Sequence, residues 1–253
     1  WENDRVAFRV YGPALQATGE ISSGIDVWAK RTDKLIVNKW YADDLSGKQS
    51  YHTDFGEGLD MYKVGPTLGG GATSPYTDGK IWFSKNFVKS EVLDNGPLRM
   101  TVKLTYAPFV ADKTEITETR IITLDAGNQM NKVKVLYQTN TNLIPVVTGI
   151  VMRNSKEEKT FIPENKDYFL HAEPKDSING TLYEAVIGTQ PFIKIEIKDG
   201  HILGFQNVNT QKNYEYYQGA GWNKWGFSTF EDWKKYVKNF SLKIKNPLSV
   251  SIK

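Results

Sequence analysis

Apolar and polar residues alternate with period two along most of the chain, the signature of strands with one face buried. Val6, Phe8 and Val10 set the pattern, and Met100, Val102, Leu104 and Tyr106 repeat it with polar residues between them. The same alternation marks strands at 25–28, 35–40, 81–88, 118–124, 132–137, 146–152, 182–187, 193–197 and 202–205. Turn signals separate them: Asp94-Asn95-Gly96-Pro97, Asp125-Ala126-Gly127-Asn128, Ile178-Asn179-Gly180 and Asp199-Gly200. Short turns of this kind join antiparallel neighbours.

Helical periodicity is confined to 228–239, where Ser228 and Glu231 match a capping box and Phe230, Trp233, Tyr236 and Val237 share a face. Alternation then returns with Leu242, Ile244, Leu248, Val250 and Ile252, which reads as a closing hairpin around Asn246-Pro247. No Pro-, Gly- or Ser-rich linker divides the 253 residues and no fixed-period repeat is visible. The pattern predicts an all-β fold, one large antiparallel β-sandwich domain over 1–253 with one short helix near its C-terminal end.

The exception is 41–80, forty residues with little alternation and many glycines, expected to be a functional loop. Composition narrows its chemistry. The absence of Cys removes disulfides, thiolate catalysis and Cys-based metal sites. A formal charge of +3 with no basic run argues against nucleic acid, and no apolar stretch approaches the roughly 20 residues of a membrane span. Trp1 begins in mature-looking sequence, so an export signal is expected to have been removed and the location to be periplasmic or secreted. Aromatic residues make up 13%, with 7 Trp and 13 Tyr, the side chains on which sugar rings stack.

Within the loop, His52 and Asp54 would share one face of an extended piece, and Asp60 and Tyr62 one face of the next, with Gly56 and Gly58 folding the chain back beside Glu57. A carboxylate beside an imidazole orients it for acid/base work near neutral pH. His52, Glu57, Asp54 and Tyr62 are therefore the candidate catalytic residues. Asp54, Glu57 and Asp60 are a subsidiary calcium site, although their spacing is not that of an EF-hand; no other cofactor is expected. The run Gly69-Gly70-Gly71 lacks the Lys-Ser/Thr of a phosphate loop and suits close backbone approach to a ligand or a lid hinge.

A second constellation, 214–226, carries Tyr217, Trp222, Asn223, Lys224 and Trp225 between glycines, either as the wall of a sugar subsite or as packing under the helix. Arg99, Arg120 and Arg31 lie in strand contexts where they would grip a carboxylate or form internal pairs, and Lys63 adds a cation beside Tyr62. His171 is a second acid/base candidate, and His201, after Asp199-Gly200, is expected to be exposed and inert.

The opening Trp1-Glu2-Asn3-Asp4-Arg5-Val6-Ala7-Phe8-Arg9-Val10-Tyr11-Gly12-Pro13, the stretch 52–65 running into the glycines, and Gly221-Trp222-Asn223-Lys224 resemble a bacterial domain-of-unknown-function family, number 4861, of polysaccharide-degrading Bacteroidetes. The resemblance covers nearly the whole chain. The strand pattern is also similar to the galactose-mutarotase-like supersandwich, which implies sugar chemistry and, by the order of two His and a late Glu, candidates His52, His171 and Glu215.

Together these readings predict a carbohydrate-active protein on an acidic, uronic-acid-containing glycan. In the lyase form Arg99, Arg120 or Lys224 neutralises the substrate carboxylate and His52 or Tyr62 takes the proton. Two alternatives stay open. One is a glycoside hydrolase or sugar epimerase with paired carboxylates among Asp54, Glu57 and Asp60. The other is a non-catalytic binding module with Tyr217, Trp222 and Trp225 as its platform.

Overall fold

The structure is a computed structural model that describes residues 1–249 and Ser251. The chain begins with β1 (Ala7–Arg9), the short helix α1 (Pro13–Gln16), β2 (Asp26–Lys30), α2 (Val37–Leu45) and β3 (Gly58–Leu59). Next come β4 (Gly70–Thr77), β5 (Lys80–Ile81), β6 (Phe87–Asn95), β7 (Arg99–Tyr106), β8 (Phe109–Ala111), β9 (Thr114–Asp125) and β10 (Met130–Gln138). The remainder is β11 (Leu143–Val151), β12 (Lys159–Phe161), β13 (Tyr168–Ala172), β14 (Leu182–Gly188), β15 (Lys194–Lys198), β16 (His201–Asn209), β17 (Tyr214–Trp222) and α3 (Phe230–Lys245).

The strands form an all-β sandwich. A nine-stranded sheet runs β12-β13-β14-β17-β10-β9-β7-β6 with β8 attached to β9, a five-stranded sheet runs β15-β16-β11-β4-β5, and β1-β2-β3 make a small third sheet. Every pairing between named strands is antiparallel, as the short turns predict. Alternation along β14 shows how the layers are filled. Leu182 and Val186 join the apolar clusters between the two large sheets, while Tyr183, Ala185 and Ile187 turn to the other face and pack with Trp233 and Val237 of α3.

Five expectations are corrected. Positions 35–40 are the start of α2 rather than a strand: Ile36 and Trp40, four apart, are both buried, so helical and strand spacing are indistinguishable in so short a window. The region 41–80 is not one loop, since it holds most of α2, β3 and all of β4, an inner strand of the five-stranded sheet between β11 and β5. The glycine run is the approach surface of that strand to the other sheet and not a ligand cradle: a Cβ on Gly71 would sit 2.7 Å from the Gln218 Cβ. Positions 242–244 continue α3, and Val250 and Ile252 of the expected hairpin lie outside the described residues. The capping box exists one residue later than expected, between Thr229 and Asp232.

A buried ion pair ties the layers together. Glu118 and Arg120 occupy inward positions of β9 otherwise filled by Ile116, Ile122 and Leu124, and both side chains are fully shielded from solvent. The Arg120 guanidinium pairs with Glu118, donates to the carbonyls of Ser23 at 2.8 Å and Thr73 at 3.3 Å, and lies 4.6 Å from the Tyr106 ring centroid. Thr73 belongs to the opposite sheet, so one side chain bonds across the sandwich.

Removing one member of such a pair leaves an uncompensated charge in the interior. Arg120→Met is expected to destabilise by about 3–5 kcal/mol in urea unfolding, with Glu118→Gln added to it recovering part of the loss. Breaking the exposed Arg99–Asp125 pair by Arg99→Gln is expected to cost less than about 1 kcal/mol.

Candidate functional site

A groove of about 770 Å³ lies between the β6–β7 edge of the large sheet and the amino-terminal segment with α2. Trp1, Phe8, Trp28, Tyr41 and Phe87 line it, and Arg9 stands in its wall. The amino-terminal segment is held firmly. The indole of Trp1 donates to Asn131 Oδ1 at 2.8 Å and its ammonium donates to the Phe8 carbonyl at 2.9 Å. Glu2 accepts from the backbone amides of Ile36 and Val37 at 2.9 and 2.8 Å, a carboxylate at the start of α2 where no local side chain caps it. The buried Lys30 ammonium donates to Glu2 at 2.7 Å and to two carbonyls.

Arg9 organises the chemistry at this wall. It faces Asp26 across the β1–β2 ladder, and its Nε lies 2.8 Å from Asp26 Oδ2. One terminal nitrogen, Nη2, lies 2.7 Å from that same oxygen and 2.6 Å from Asp60 Oδ2, so a single guanidinium joins two carboxylates. The Asp26 carboxylate also accepts from Tyr11 at 3.1 Å and from the Trp28 indole at 3.2 Å. The guanidinium stacks on Trp28, Tyr11 and Tyr51 with centroid distances of 4.9, 5.3 and 5.7 Å. Burial and the neighbouring Asp26 charge push the Asp60 carboxyl up to about 7 against the pull of Arg9. Burial likewise raises Asp26, and it raises the Tyr11 phenol further from ionisation.

Of the residues singled out in the loop, His52 meets this centre. Its Nδ1 lies 2.9 Å from the Asp60 carbonyl and 3.8 Å from Asp60 Oδ2, and 61% of its side chain is exposed. Asp54 and Glu57 are drawn elsewhere: Asp54 accepts from the amides of Gly56 and Gly58 and pairs with Arg31 at 3.1 Å, while Glu57 binds Lys39 at 2.6 Å and the Trp40 indole. Their oxygens are taken by these donors, so Asp54, Glu57 and Asp60 do not form the calcium cage that their spacing suggested. Lys63 is exposed, and Tyr62 is buried away from His52 with the Arg153 guanidinium 4.8 Å from its ring centroid.

The expected aromatic platform separates by strand alternation. Residues 214–222 are β17, in the middle of the large sheet, and not a loop. Trp222 points into the sandwich, 2% exposed, and donates to the Asn179 carbonyl at 2.7 Å. Tyr217 points to the opposite face against Phe240 of α3, at 5.4 Å between centroids. Trp225 keeps an exposed edge, and Lys224 bonds the Ile178 carbonyl. Arg99 is paired on the surface with Asp125, and Arg120 is sealed in the core. Of the expected cations only Arg99 borders the groove.

The remaining imidazoles also differ from expectation. His201 is buried and neutral in bonding pattern: Nδ1 donates to the Asp199 carbonyl at 2.7 Å and Nε2 accepts from the Leu68 amide at 3.2 Å, with burial lowering its pKa. His171 is fully buried between Glu184, 3.0 Å from Nδ1, and Glu158, 3.1 Å from Nε2. Glu215 binds Lys132 and Lys134, so His52, His171 and Glu215 share no partner. Sequence reasoning missed Arg9, Asp26 and Tyr11. A signal existed for Asp26 alone, an ionisable residue inside the apolar run Ile25-Asp26-Val27-Trp28.

The sequence pattern of DUF4861, a domain of unknown function, matches residues 1–250. "Uncharacterized protein P7" of Formosa agariphila is 34% identical over 268 aligned residues, covering the whole of this chain, which spans 66% of that protein's length. Among solved structures, a GH36 alpha-galactosidase AgaA variant of Geobacillus stearothermophilus in complex with raffinose superposes with a TM-score of 0.39 at 5% identity, over 88% of this chain and 40% of that one. A second AgaA complex, with 1-deoxygalactonojirimycin, gives 0.31 at 5% identity over 68% of this chain and 32% of that one. Likenesses this slight transfer no activity. The match along 1–250 is of another order, and by it the chain belongs to the DUF4861 family.

Proposed function

We propose that this chain is a carbohydrate-active protein that seats an oligosaccharide in the groove and acts on it by acid/base chemistry at Arg9. The observation that carries this reading is the guanidinium shared by Asp26 and Asp60 in the wall of a groove lined with aromatic rings. Aromatic walls suit sugar rings, and a carboxyl that titrates near 7 exchanges protons at the pH of use.

The finer form is β-elimination on a uronic acid. Arg9, with 22% of its side chain exposed, holds the substrate carboxylate and acidifies the neighbouring C–H bond. His52, held by the Asp60 carbonyl just beyond the groove lining, takes that proton from a sugar ring overhanging Arg9, the C–H electrons form the carbon–carbon double bond, and the leaving oxygen departs with a proton from water. Burial favours this form over hydrolysis by the Asp26–Asp60 pair, since neither carboxylate exposes more than 2% of its side chain to a glycosidic bond. Both act here through Arg9 and His52 as positioning residues. A secreted or periplasmic location belongs to the same proposal, because polymeric glycans are met outside the cytoplasm; no helix among the described residues is long and apolar enough to cross a membrane.

Incubation with a panel of uronate and neutral oligosaccharides, followed by ultraviolet absorbance of unsaturated product and tryptophan fluorescence, tests the reading. Unsaturated product from a uronate substrate is expected, with Arg9→Lys lowering turnover by about 100-fold because lysine cannot bridge two carboxylates and a substrate. Binding without product would assign a binding module instead, and neither binding nor product across the panel would overturn the proposal.

The raised Asp60 pKa also links to stability. From its ordinary value of 3.8 up to about 7 the folded protein holds this proton more tightly than the unfolded chain does, so the Asp60 contribution to stability falls as pH rises through that window. In thermal melts between pH 4 and 8, the melting temperature of Asp60→Asn relative to the unmodified protein is expected to rise with pH and to level off above about 7.

A further inference from the structure

We infer that His171, Glu173 and Glu184 bind a divalent transition-metal ion, at a site separate from the groove and independent of the function proposed for it. His171 and Glu184 face one another across the β13–β14 ladder and point inward, and Glu173 follows directly after β13. One potential ligand atom from each of the three lies within 4.8 Å of the others. His171 Nδ1 is 3.0 Å from Glu184 Oε2 and 3.8 Å from Glu173 Oε1. Donors placed about 2.0–2.2 Å from a common ion sit roughly 3–3.6 Å apart, so only a small inward movement of Glu173 is needed.

Three further observations suit a cation here. Glu184 Oε1 and Glu173 Oε1 are buried without a hydrogen-bond partner, although Glu184 is fully shielded and such oxygens are costly to leave unpaired. The hydroxyl of Tyr62, whose ring lies 4.8 Å from the Arg153 guanidinium that binds Glu173, is likewise buried and unpartnered. The imidazole is also placed as a ligand: its Nε2–H is held by Glu158 Oε2 at 3.1 Å, and Nδ1, which donates to Glu184 Oε2 at 3.0 Å without an ion, would bind the ion in place of that proton. A carboxylate behind a histidine in this way is the usual outer partner of a metal-bound imidazole.

Charge agrees. Glu158, Glu173 and Glu184 carry three negative charges when ionised, and Arg153, bonded to Glu173 Oε2 at 2.8 Å, returns one. A divalent ion beside a neutral His171 brings the cluster to zero, whereas protonating His171 alone leaves it negative. One nitrogen among oxygens suits Zn²⁺ or Mn²⁺, and disfavours Ca²⁺, which takes oxygen ligands. Glu173 and Arg153 retain partial exposure and mark the way in.

The full chain, without a polyhistidine tag, is stripped with chelator and titrated with Zn²⁺, Mn²⁺ and Ca²⁺ by calorimetry and thermal melting. One equivalent of Zn²⁺ or Mn²⁺ is expected to bind, raising the melting temperature by about 5–10 °C at 100-fold excess over Kd, with Ca²⁺ without effect. Glu173→Gln, at the rim where folding is least at risk, and His171→Gln are each expected to weaken binding by at least about 10-fold. Co²⁺ in the same site should give visible absorption bands that Glu173→Gln alters. No Zn²⁺ or Mn²⁺ uptake at millimolar concentration, or uptake that Glu173→Gln and His171→Gln leave unchanged, would overturn the assignment.

Discussion

A guanidinium sealed between two sheets imposes a single relative placement on them. Arg120 must find its carboxylate on its own strand and its carbonyl acceptors on the opposite layer, at Ser23 and Thr73, because water is not there to replace them. Slippage of β4 against β9 by one residue would strand those groups and turn the inward residues out. The close approach at Gly71, where a side chain would strike Gln218, depends on that same placement. Everything attached to the two sheets inherits the register, including the strands that carry His171 and Glu184 and the edge that bounds the groove.

The same device recurs at the amino-terminal sheet with a different outcome. Lys30 and Glu2 bind each other and the ends of neighbouring backbone segments, so their charges are spent on holding α2 and the first residues. Arg9 is shared by two carboxylates and still reaches the groove wall. Two acids on one cation leave an excess of negative charge in a shielded place, and the physical response is the elevated proton affinity of Asp60. Arg153, Glu173, Glu184 and His171 form a third centre with the same imbalance, where burial and the Glu184 charge push Glu173 up to about 7 and unpartnered oxygens remain.

Much of the scaffold was legible from alternation and turns, because a strand with one buried face announces itself every second residue. The strands β7, β9, β10, β11, β14, β15 and β16 coincide with alternating runs, and Asp199-Gly200 turns the chain where its dipeptide says it should. Errors arose where burial covers both faces or the element is short. β4 and β17 are inner strands of their sheets with glycines at points of contact, and their sequences resemble loops for that reason. The six residues 35–40 admit either period, and only contact with Trp28 and Tyr51 decides for a helix.

The sequence by itself determined the strand-rich class, the turn positions and the absence of thiol chemistry, since local backbone preference and residue type suffice for each. Which ionisable groups meet was decided by tertiary structure alone. Arg9, Asp26 and Asp60 are far apart in the chain and become one centre through strand pairing, while Asp54 and Glu57, close to His52 in sequence, turn to Arg31 and Lys39. Tyr217 and Trp222 share a strand yet face opposite sides of the sheet, because pleating separates an odd spacing that sequence proximity suggests is a cluster. Spacing along the chain limits which contacts are possible, and the folding of sheet upon sheet selects among them.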